Sequence, residues 1–419
     1  MKVKLLFAVW AFTLISFMYA MGQSSFKPFG VYKIQTKDVY YTMASFGSKP
    51  TLYCSDGRIY GLKAEGTDYL IGQSLGNIDS TVGRLKWKPN SQYSTIFLDI
   101  YSEALRGEKL PLHEKRMEFS NGGQKLVGEL ILPLGNGPFP AIVLAHGSGQ
   151  ETRQSSRGMA YLFASNGIAA FIFDKRACGE STGKEWRASF KDYALDILSA
   201  VDAVSNQPEI NKKKIGLYGH SQGGWVVPLA YSIKPEKISF CILSAANAMN
   251  PVDENLFAGF EELKLNGMDE STNKEIYEFR KAKYMIGITG KGMAEYKKTL
   301  LPNAEQKSWF KWTGGNLPDD VFWKENGYYD PIPALKALDC SVLVLYAQHD
   351  ISTDSDTNMT LMKNAIRSSN TTYHLFENAN HAMLKVDRRG LTSKLLPEVT
   401  QFADGYIDLL INWVQKQVK

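Results

Sequence analysis

From about residue 115 onward the chain alternates between two kinds of segment. Short, continuously apolar runs occupy Ala141–Ala145, Ile168–Phe173, Lys214–Tyr218, Ile238–Ala245 and Ser341–Ala347. Such runs suit strands buried on both faces of a parallel sheet. Between them, Phe190–Ser205 and Gly223–Ser232 have the length and spacing of helices. Strands alternating with helices imply βαβ units, so the pattern predicts an α/β fold with a mostly parallel sheet flanked by helices. Ahead of it, Arg116-Met-Glu-Phe and Leu126–Leu132 flank Asn121-Gly-Gly and read as an antiparallel hairpin. Thr371–Phe376 is the last strand of the series.

Two stretches break this rhythm. Residues 246–337 carry amphipathic segments at Glu254–Leu265 and Ser271–Tyr284, followed by Trp309, Trp312, Trp323, Tyr328 and Tyr329. They predict a helical cap inserted between two sheet strands, acting either as a lid or as a plain excursion. Residues 23–112 are rich in aromatics and turn signals. There, Thr51–Cys54 and Arg58–Tyr60 flank Ser55-Asp-Gly57 as a second hairpin, and Ser94–Tyr101 is a further strand. This small β-rich N-terminal domain shows no chemistry of its own. The expected division is therefore a segment 1–22, the β-rich domain 23–112, an α/β core in two pieces (113–245 and 338–419), and the insertion 246–337.

Residues 1–22 read as an export signal. Lys2 and Lys4 precede an apolar run from Leu5 to Tyr19, and the small residues Ala20 and Gly22 stand at the −3 and −1 positions of a cleavage site before Gln23. The run is too short for a spanning helix, which needs about 20 residues. The expectation is a secreted or periplasmic protein with no integral membrane segment after cleavage. Export permits disulfides, but Cys54, Cys178, Cys241 and Cys340 are widely spaced without a C-x-x-C, so neither a zinc site nor a bridge is expected.

The charge balance excludes other classes. With 48 Lys+Arg against 43 Asp+Glu, the net charge is +5 and is spread along the chain. No basic block resembles a nucleic-acid arm. An apolar fraction of 44% can supply a large core and excludes a disordered or collagen-like chain.

The pattern G-x-S-x-G occurs twice, at Gly179–Gly183 and Gly219–Gly223. A nucleophile elbow needs a buried strand running directly into the motif and a helix starting directly after it. Ile215-Gly-Leu-Tyr218 runs straight into Gly219, and a helix-compatible stretch follows Ser221, with Pro228 tolerable near its first turn. At the other copy the strand ends near Asp174 and Lys-Arg-Ala-Cys intervenes, which leaves Ser181 as a loop serine. Ser221 is the candidate nucleophile.

A serine hydroxyl needs a base. Of six histidines, His113 precedes the sheet, His220 adjoins Ser221 with its side chain pointing away, His374 is mid-strand, and His349 and His146 sit at strand ends. His381 follows the last strand in a loop at its carboxyl end, where sites in parallel sheets lie. It is the candidate base. Asp350, just past the strand Ser341–Ala347, is the candidate orienting acid, with Asp354 and Asp356 as nearby alternatives. The oxyanion of an acyl-transfer intermediate needs N–H donors. These are expected from Gln222, after the nucleophile, and from Ser148 in the glycine-rich His146-Gly-Ser-Gly149.

Residues 115–419 resemble the α/β-hydrolase superfamily. The nearest likeness is to secreted bacterial esterases akin to the prolyl-oligopeptidase catalytic domain and the serine aminopeptidases. The resemblance rests on Gly137–Gly149, Phe173-Asp-Lys-Arg176 with Gly179 and Ser181-Thr-Gly183, Tyr218–Gly224, Tyr329–Leu335, Gln348-His-Asp350 and Ala379-Asn-His381. Cys178 in a segment usually rich in glycine, and Ala347 where a glycine commonly precedes the acid, depart from the family pattern. The first 112 residues lie outside it. The resemblance implies a serine hydrolase with a Ser221–Asp350–His381 triad, no metal or organic cofactor, and a small acyl ester as substrate. A peptidase using the same triad on short peptides is the alternative, with Glu254, Glu261 or Glu262 binding the substrate amine. A non-catalytic binding protein on the same scaffold is the more distant rival.

Overall fold

The computed structural model describes residues 28–46, 49–88, 94–390 and 398–419. The segment read as an export signal lies outside them. Two β-structures make up the frame: a closed barrel and an eight-stranded sheet.

The sheet is built as the apolar runs require. Its strands are β9 (His113–Asn121), β10 (Gln124–Leu132), β11 (Phe139–Leu144), β12 (Ala169–Phe173), β13 (Ile210–His220), β14 (Phe240–Ser244), β15 (Ser341–Ala347) and β16 (Thr371–Phe376). Their spatial order is β16-β15-β14-β13-β11-β12-β10-β9. The hairpin β9–β10 is antiparallel, β10 also runs antiparallel to β12, and every other pairing is parallel. All five residues of β12 and of β14 are buried, which explains their unbroken apolar sequences.

Helices cover both faces. On one side lie α1 (Arg157–Ser165) and the C-terminal Tyr406–Gln417. On the other lie α2 (Phe190–Ser205), α3 (Gly223–Ile233) and Ser355–Ala365. Ser189 caps α2 by accepting the Asp192 N–H at 3.1 Å. Pro228 is the sixth residue of α3, past the first turn where a proline is readily tolerated. Proline cannot donate to the carbonyl four residues back, but the helix continues because Trp225, Val226, Val227, Ala230 and Tyr231 are all buried in the core.

Between β14 and β15 the chain leaves the sheet. It forms α4 (Pro251–Leu265), α5 (Glu270–Thr289) and shorter turns. These helices have their own small core of Leu263, Ile276, Phe279, Ile286, Tyr296 and Trp309.

The N-terminal region is more specific than "β-rich". Strands β1 (Gly30–Ile34), β2 (Tyr40–Phe46), β3 (Lys49–Cys54), β4 (Ile59–Glu65), β5 (Asp68–Gly72), β6 (Thr81–Lys88), β7 (Thr95–Ile100) and β8 (Glu103–Lys109) close into an antiparallel barrel. The expected hairpin is β3–β4 and the expected strand is β7. Side chains fill the interior, among them Tyr32, Met43, Leu52, Ile71, Leu85 and Ile96.

The barrel is fastened to the far end of the chain. The Ile59 N–H donates to Thr400 O at 2.7 Å, the Leu75 N–H to Val399 O at 3.2 Å, and the Phe402 N–H to Gly57 O at 2.9 Å. On its other edge this 399–403 stretch pairs with the loop after β16: the Lys385 N–H donates to Gln401 O at 3.0 Å and the Ala403 N–H to Met383 O at 2.9 Å. Ile59, Leu75, Leu384, Val386 and Val399 form one buried cluster across the joint.

Candidate active site

The site gathers at the carboxyl ends of β11, β13, β14, β15 and β16. Strand β13 ends at His220 and α3 begins at Gly223, leaving only Ser221 and Gln222 for the turn. Ser221 holds φ at +53°, a left-handed conformation that costs a non-glycine residue of order 1–3 kcal/mol. The surroundings enforce it: the Ser221 N–H donates to Ser244 O at 3.0 Å, and the Gly224 N–H to Ser221 O at 2.8 Å. The flanking glycines are steric requirements. A Cβ on Gly219 would press into the Gly223 carbonyl, and one on Gly224 into Ala246.

The second G-x-S-x-G is structural. Ser181 is buried, donates to Asp174 O at 2.7 Å, and accepts the Val127 N–H at 3.0 Å.

Asp350 and His381 meet. The His381 Nδ1 lies 2.7 Å from Asp350 Oδ2, leaving Nε2 as the other ring nitrogen. Asp350 is 1% exposed, and its Oδ1 accepts the N–H groups of Ser352 at 2.7 Å and Thr353 at 2.9 Å. Burial works against a charged His381, but the Asp350 carboxylate outweighs it through charge and hydrogen bond, so the imidazole pKa is raised. The alternatives have other work. Asp354 caps the helix Ser355–Ala365 through the Thr357 N–H at 3.1 Å, and Asp356 sits in that helix's first turn.

His220 is closer to this chemistry than its chain position suggested. Its ring centroid lies 4.9 Å from that of His381. Burial, and then the neighbouring His381, press its pKa down to about 3, so it packs beside His381 as a neutral ring. His146 is also neutral. Burial lowers it to about 3, and its Nε2 lies 2.6 Å from Phe173 O, so that nitrogen carries the proton.

The expected donor loop lies beside the elbow. The Gly147 N–H donates to Glu151 Oε2 at 3.0 Å. Among the described residues, the N–H groups of Ser148 and Gln222 have no acceptor in the protein. One residue was missed in the sequence. Lys175, just past β12, is 1% exposed and reaches both segments, donating to Gly147 O, Gly149 O and the Gln222 side chain. A lysine two residues past an unbroken apolar strand, at the end where the site lies, was the signal for it.

Of the three acids weighed for amine binding, Glu261 is tied up in an ion pair and Glu254 is deeply buried, its Oε2 without a hydrogen-bond partner. Glu254 is 3% exposed and accepts a hydrogen bond from Asn358; burial raises its pKa to about 8. Glu261 pairs with Arg389 at 2.9 Å. Glu262 is half-buried, its pKa raised by burial against the pull of Arg280.

The four cysteines are free thiols. Among the described residues no cluster of acidic, histidine or cysteine side chains could hold a metal ion. No described helix is long and apolar enough to cross a membrane.

A sheet with this strand order, entered by a strained serine elbow and carrying an acid and a histidine after later strands, defines an α/β-hydrolase. The model of the serine aminopeptidase family S33 matches residues 137–267, which span β11 to the end of α4. An uncharacterized 31.7 kDa protein of the traX-finO intergenic region of Escherichia coli is 27% identical over 226 residues, covering 52% of this chain and 75% of that protein. Esterase EstD of Thermotoga maritima is 31% identical over 110 residues, 25% of this chain and 26% of the esterase. Esterase FrsA of Escherichia coli is 30% identical over 164 residues, 38% of this chain and 37% of the esterase. The chain belongs to the α/β-hydrolase superfamily.

Proposed function

We propose that this hydrolase cleaves carboxylic esters through an acyl-enzyme formed on Ser221. His381 Nε2 takes the hydroxyl proton as the serine oxygen attacks the ester carbonyl. The carbonyl oxygen becomes an oxyanion held by the N–H groups of Ser148 and Gln222. The tetrahedral intermediate collapses, the C–O bond to the alcohol breaks, and His381 returns the proton to that alcohol. Water then attacks the acyl-enzyme by the same route, releasing the acid and restoring Ser221. Asp350 holds His381 with Nδ1–H inward and offsets the imidazolium charge.

The observation that carries this reading is the left-handed Ser221 at the head of α3, in one site with a His381 already bonded to a buried carboxylate. Strain of this kind persists only where the surroundings over-determine it. A serine-reactive phosphonate should label the wild type and leave Ser221→Ala unlabelled. Equal labelling of both would overturn the assignment.

Peptide cleavage is the second reading, favoured by the aminopeptidase family match. An aminopeptidase needs an available carboxylate for the substrate amine, and Glu254 is buried, Glu261 is paired, and Glu262 is half-buried under the pull of Arg280. Esters are therefore the preferred class. Turnover of p-nitrophenyl acetate without turnover of aminoacyl anilides is the expected outcome; efficient anilide cleavage would reverse the preference.

The insertion serves as the roof of the pocket in this reading. Its first residues are moored to the site's own framework: Asn358 accepts the N–H groups of Ala248 at 2.5 Å and Met249 at 2.9 Å, and the Trp225 indole donates to Met249 O at 2.8 Å. The protein acts outside the cytoplasm after removal of residues 1–22, a reading that rests on the sequence of that segment alone.

A further inference from the structure

The loop after β12 carries a buried cation to which the reaction above assigns no role. Lys175 Nζ donates to Gly147 O at 2.8 Å, to Gln222 Oε1 at 3.0 Å and to Gly149 O at 3.1 Å. An ammonium has three protons, and these contacts use all three. Among the described residues it has no ion pair. The face of Tyr193 lies 4.6 Å away. The acidic groups that act on the ammonium, chiefly Glu151, which also accepts the Gly147 N–H, do so through space rather than by a direct ion pair, so burial of the charge is only partly offset.

The geometry points to Lys175 as a positioning residue for the oxyanion hole. This inference rests on the proposed ester hydrolysis at Ser221. The Gly147 carbonyl and the Ser148 N–H belong to one planar trans peptide, so they point in opposite directions. Fixing the carbonyl on the ammonium therefore fixes the N–H on the other side. The neighbouring His146–Gly147 peptide is held as well, its N–H donating to Glu151 Oε2 at 3.0 Å, which restrains the Cα about which the Gly147–Ser148 peptide could turn. The third contact reaches the side chain of Gln222, the residue whose own N–H is the second donor. One ammonium thus ties together the two segments that must stay in register while charge develops between them. Its field also polarises the Gly147–Ser148 peptide and strengthens the N–H as a donor.

The test replaces Lys175 with methionine, which keeps length and removes charge and donors. Three quantities are read: kcat/KM for p-nitrophenyl acetate, the inhibition constant of phenylboronic acid, which forms a tetrahedral adduct on an active serine, and the thermal midpoint. The expected result for Lys175→Met is a fall in kcat/KM of about 10- to 100-fold, below or near the loss of a direct oxyanion donor. Boronate affinity should weaken by a similar factor, in addition to any fall in thermal midpoint that comes from leaving Gly147 O, Gly149 O and Gln222 Oε1 without their donor. Unchanged kcat/KM and boronate affinity would overturn the inference. A lowered midpoint with boronate affinity unchanged would overturn it too, since a purely structural lysine behaves that way. Ser221→Ala is measured alongside. If it keeps p-nitrophenyl acetate turnover, the Ser221 reading itself fails; if it is inactive while Lys175→Met is not impaired, only the role of Lys175 fails.

Discussion

Replacing Asp350 with asparagine changes one oxygen to an amide nitrogen, and the surroundings decide which way the amide turns. Two backbone N–H groups, from Ser352 at 2.7 Å and Thr353 at 2.9 Å, converge on Oδ1. Turning the NH₂ toward them would leave two buried donors unpaired, at about 1–3 kcal/mol each. The amide oxygen therefore stays, and the NH₂ faces His381 Nδ1, 2.7 Å from the position of Oδ2. Nδ1 must then accept, which puts the ring proton on Nε2, where it cannot take a proton from Ser221. A wrong tautomer of this kind costs about 10⁴ in kcat, or about 5.5 kcal/mol of transition-state stabilisation. The assay is steady-state hydrolysis of p-nitrophenyl acetate beside a thermal melt. The expected result is the full loss of rate with little change in midpoint. An Asp350→Asn protein within tenfold of the wild-type rate would refute both the tautomer argument and the choice of this carboxylate.

Four further outcomes follow from the same geometry. Asp354→Ala removes the cap of the helix Ser355–Ala365 and should cost about 1 kcal/mol of stability in urea unfolding with kcat retained, separating it from Asp350. The acid limb of kcat/KM should lie above the range of an exposed histidine, about 6.5, because His381 acts only when neutral and Asp350 holds its pKa up; a limb below that range contradicts the pairing. Glu254 has a folded-state pKa of about 8, far above that of an unfolded glutamate, so its stability contribution is present at low pH and is lost as pH rises toward 8. The stabilising effect of Glu254→Gln, measured as a difference in thermal midpoint, should accordingly grow from pH 5 to pH 8 and then level off; a pH-independent difference would contradict it. Leu75→Ala empties part of the buried cluster between barrel and His381 loop and should cost about 2–5 kcal/mol, with kcat falling as well; a rate loss without destabilisation, or the reverse, would separate the two roles.

The sheet was legible because strands buried on both faces leave unbroken apolar runs, as at Ile168–Phe173, and because Ser221 sits where strand and helix signals abut. Asp350 was legible for the same reason, three residues past the run Ser341–Ala347, whereas His381 was legible from its loop at the carboxyl end of Thr371–Phe376, a strand whose burial alternates. The barrel was not. Its strands bury one face, mix aromatics with glycine and charge, and pair in a closed order that no local pattern encodes. The packing of His220 beside His381 was missed because alternation along a strand tells which way a side chain leaves the backbone, not what a later loop brings against it. Pro228 inside Gly223–Ile233 was the one sign against a helix that the sequence otherwise marked, because local helix rules cannot weigh a missing hydrogen bond against burial of the whole α3 face.

The fastening of the barrel bears on the order in which the molecule is completed. Arg58 and Gln401 bridge across about 340 residues of sequence, and contacts that distant wait for the chain between them, because loop closure must come before the contact rewards it. The strand 399–403 is held on one side by the barrel and holds the His381 loop on the other. The serine elbow, made from neighbouring strand and helix, can form early. The loop that brings it a base is locked only when the first and last parts of the chain meet. Under the proposed mechanism, a partly folded or truncated chain would hold a nucleophile without its activator, and hydrolytic power would arrive with the last long-range contact.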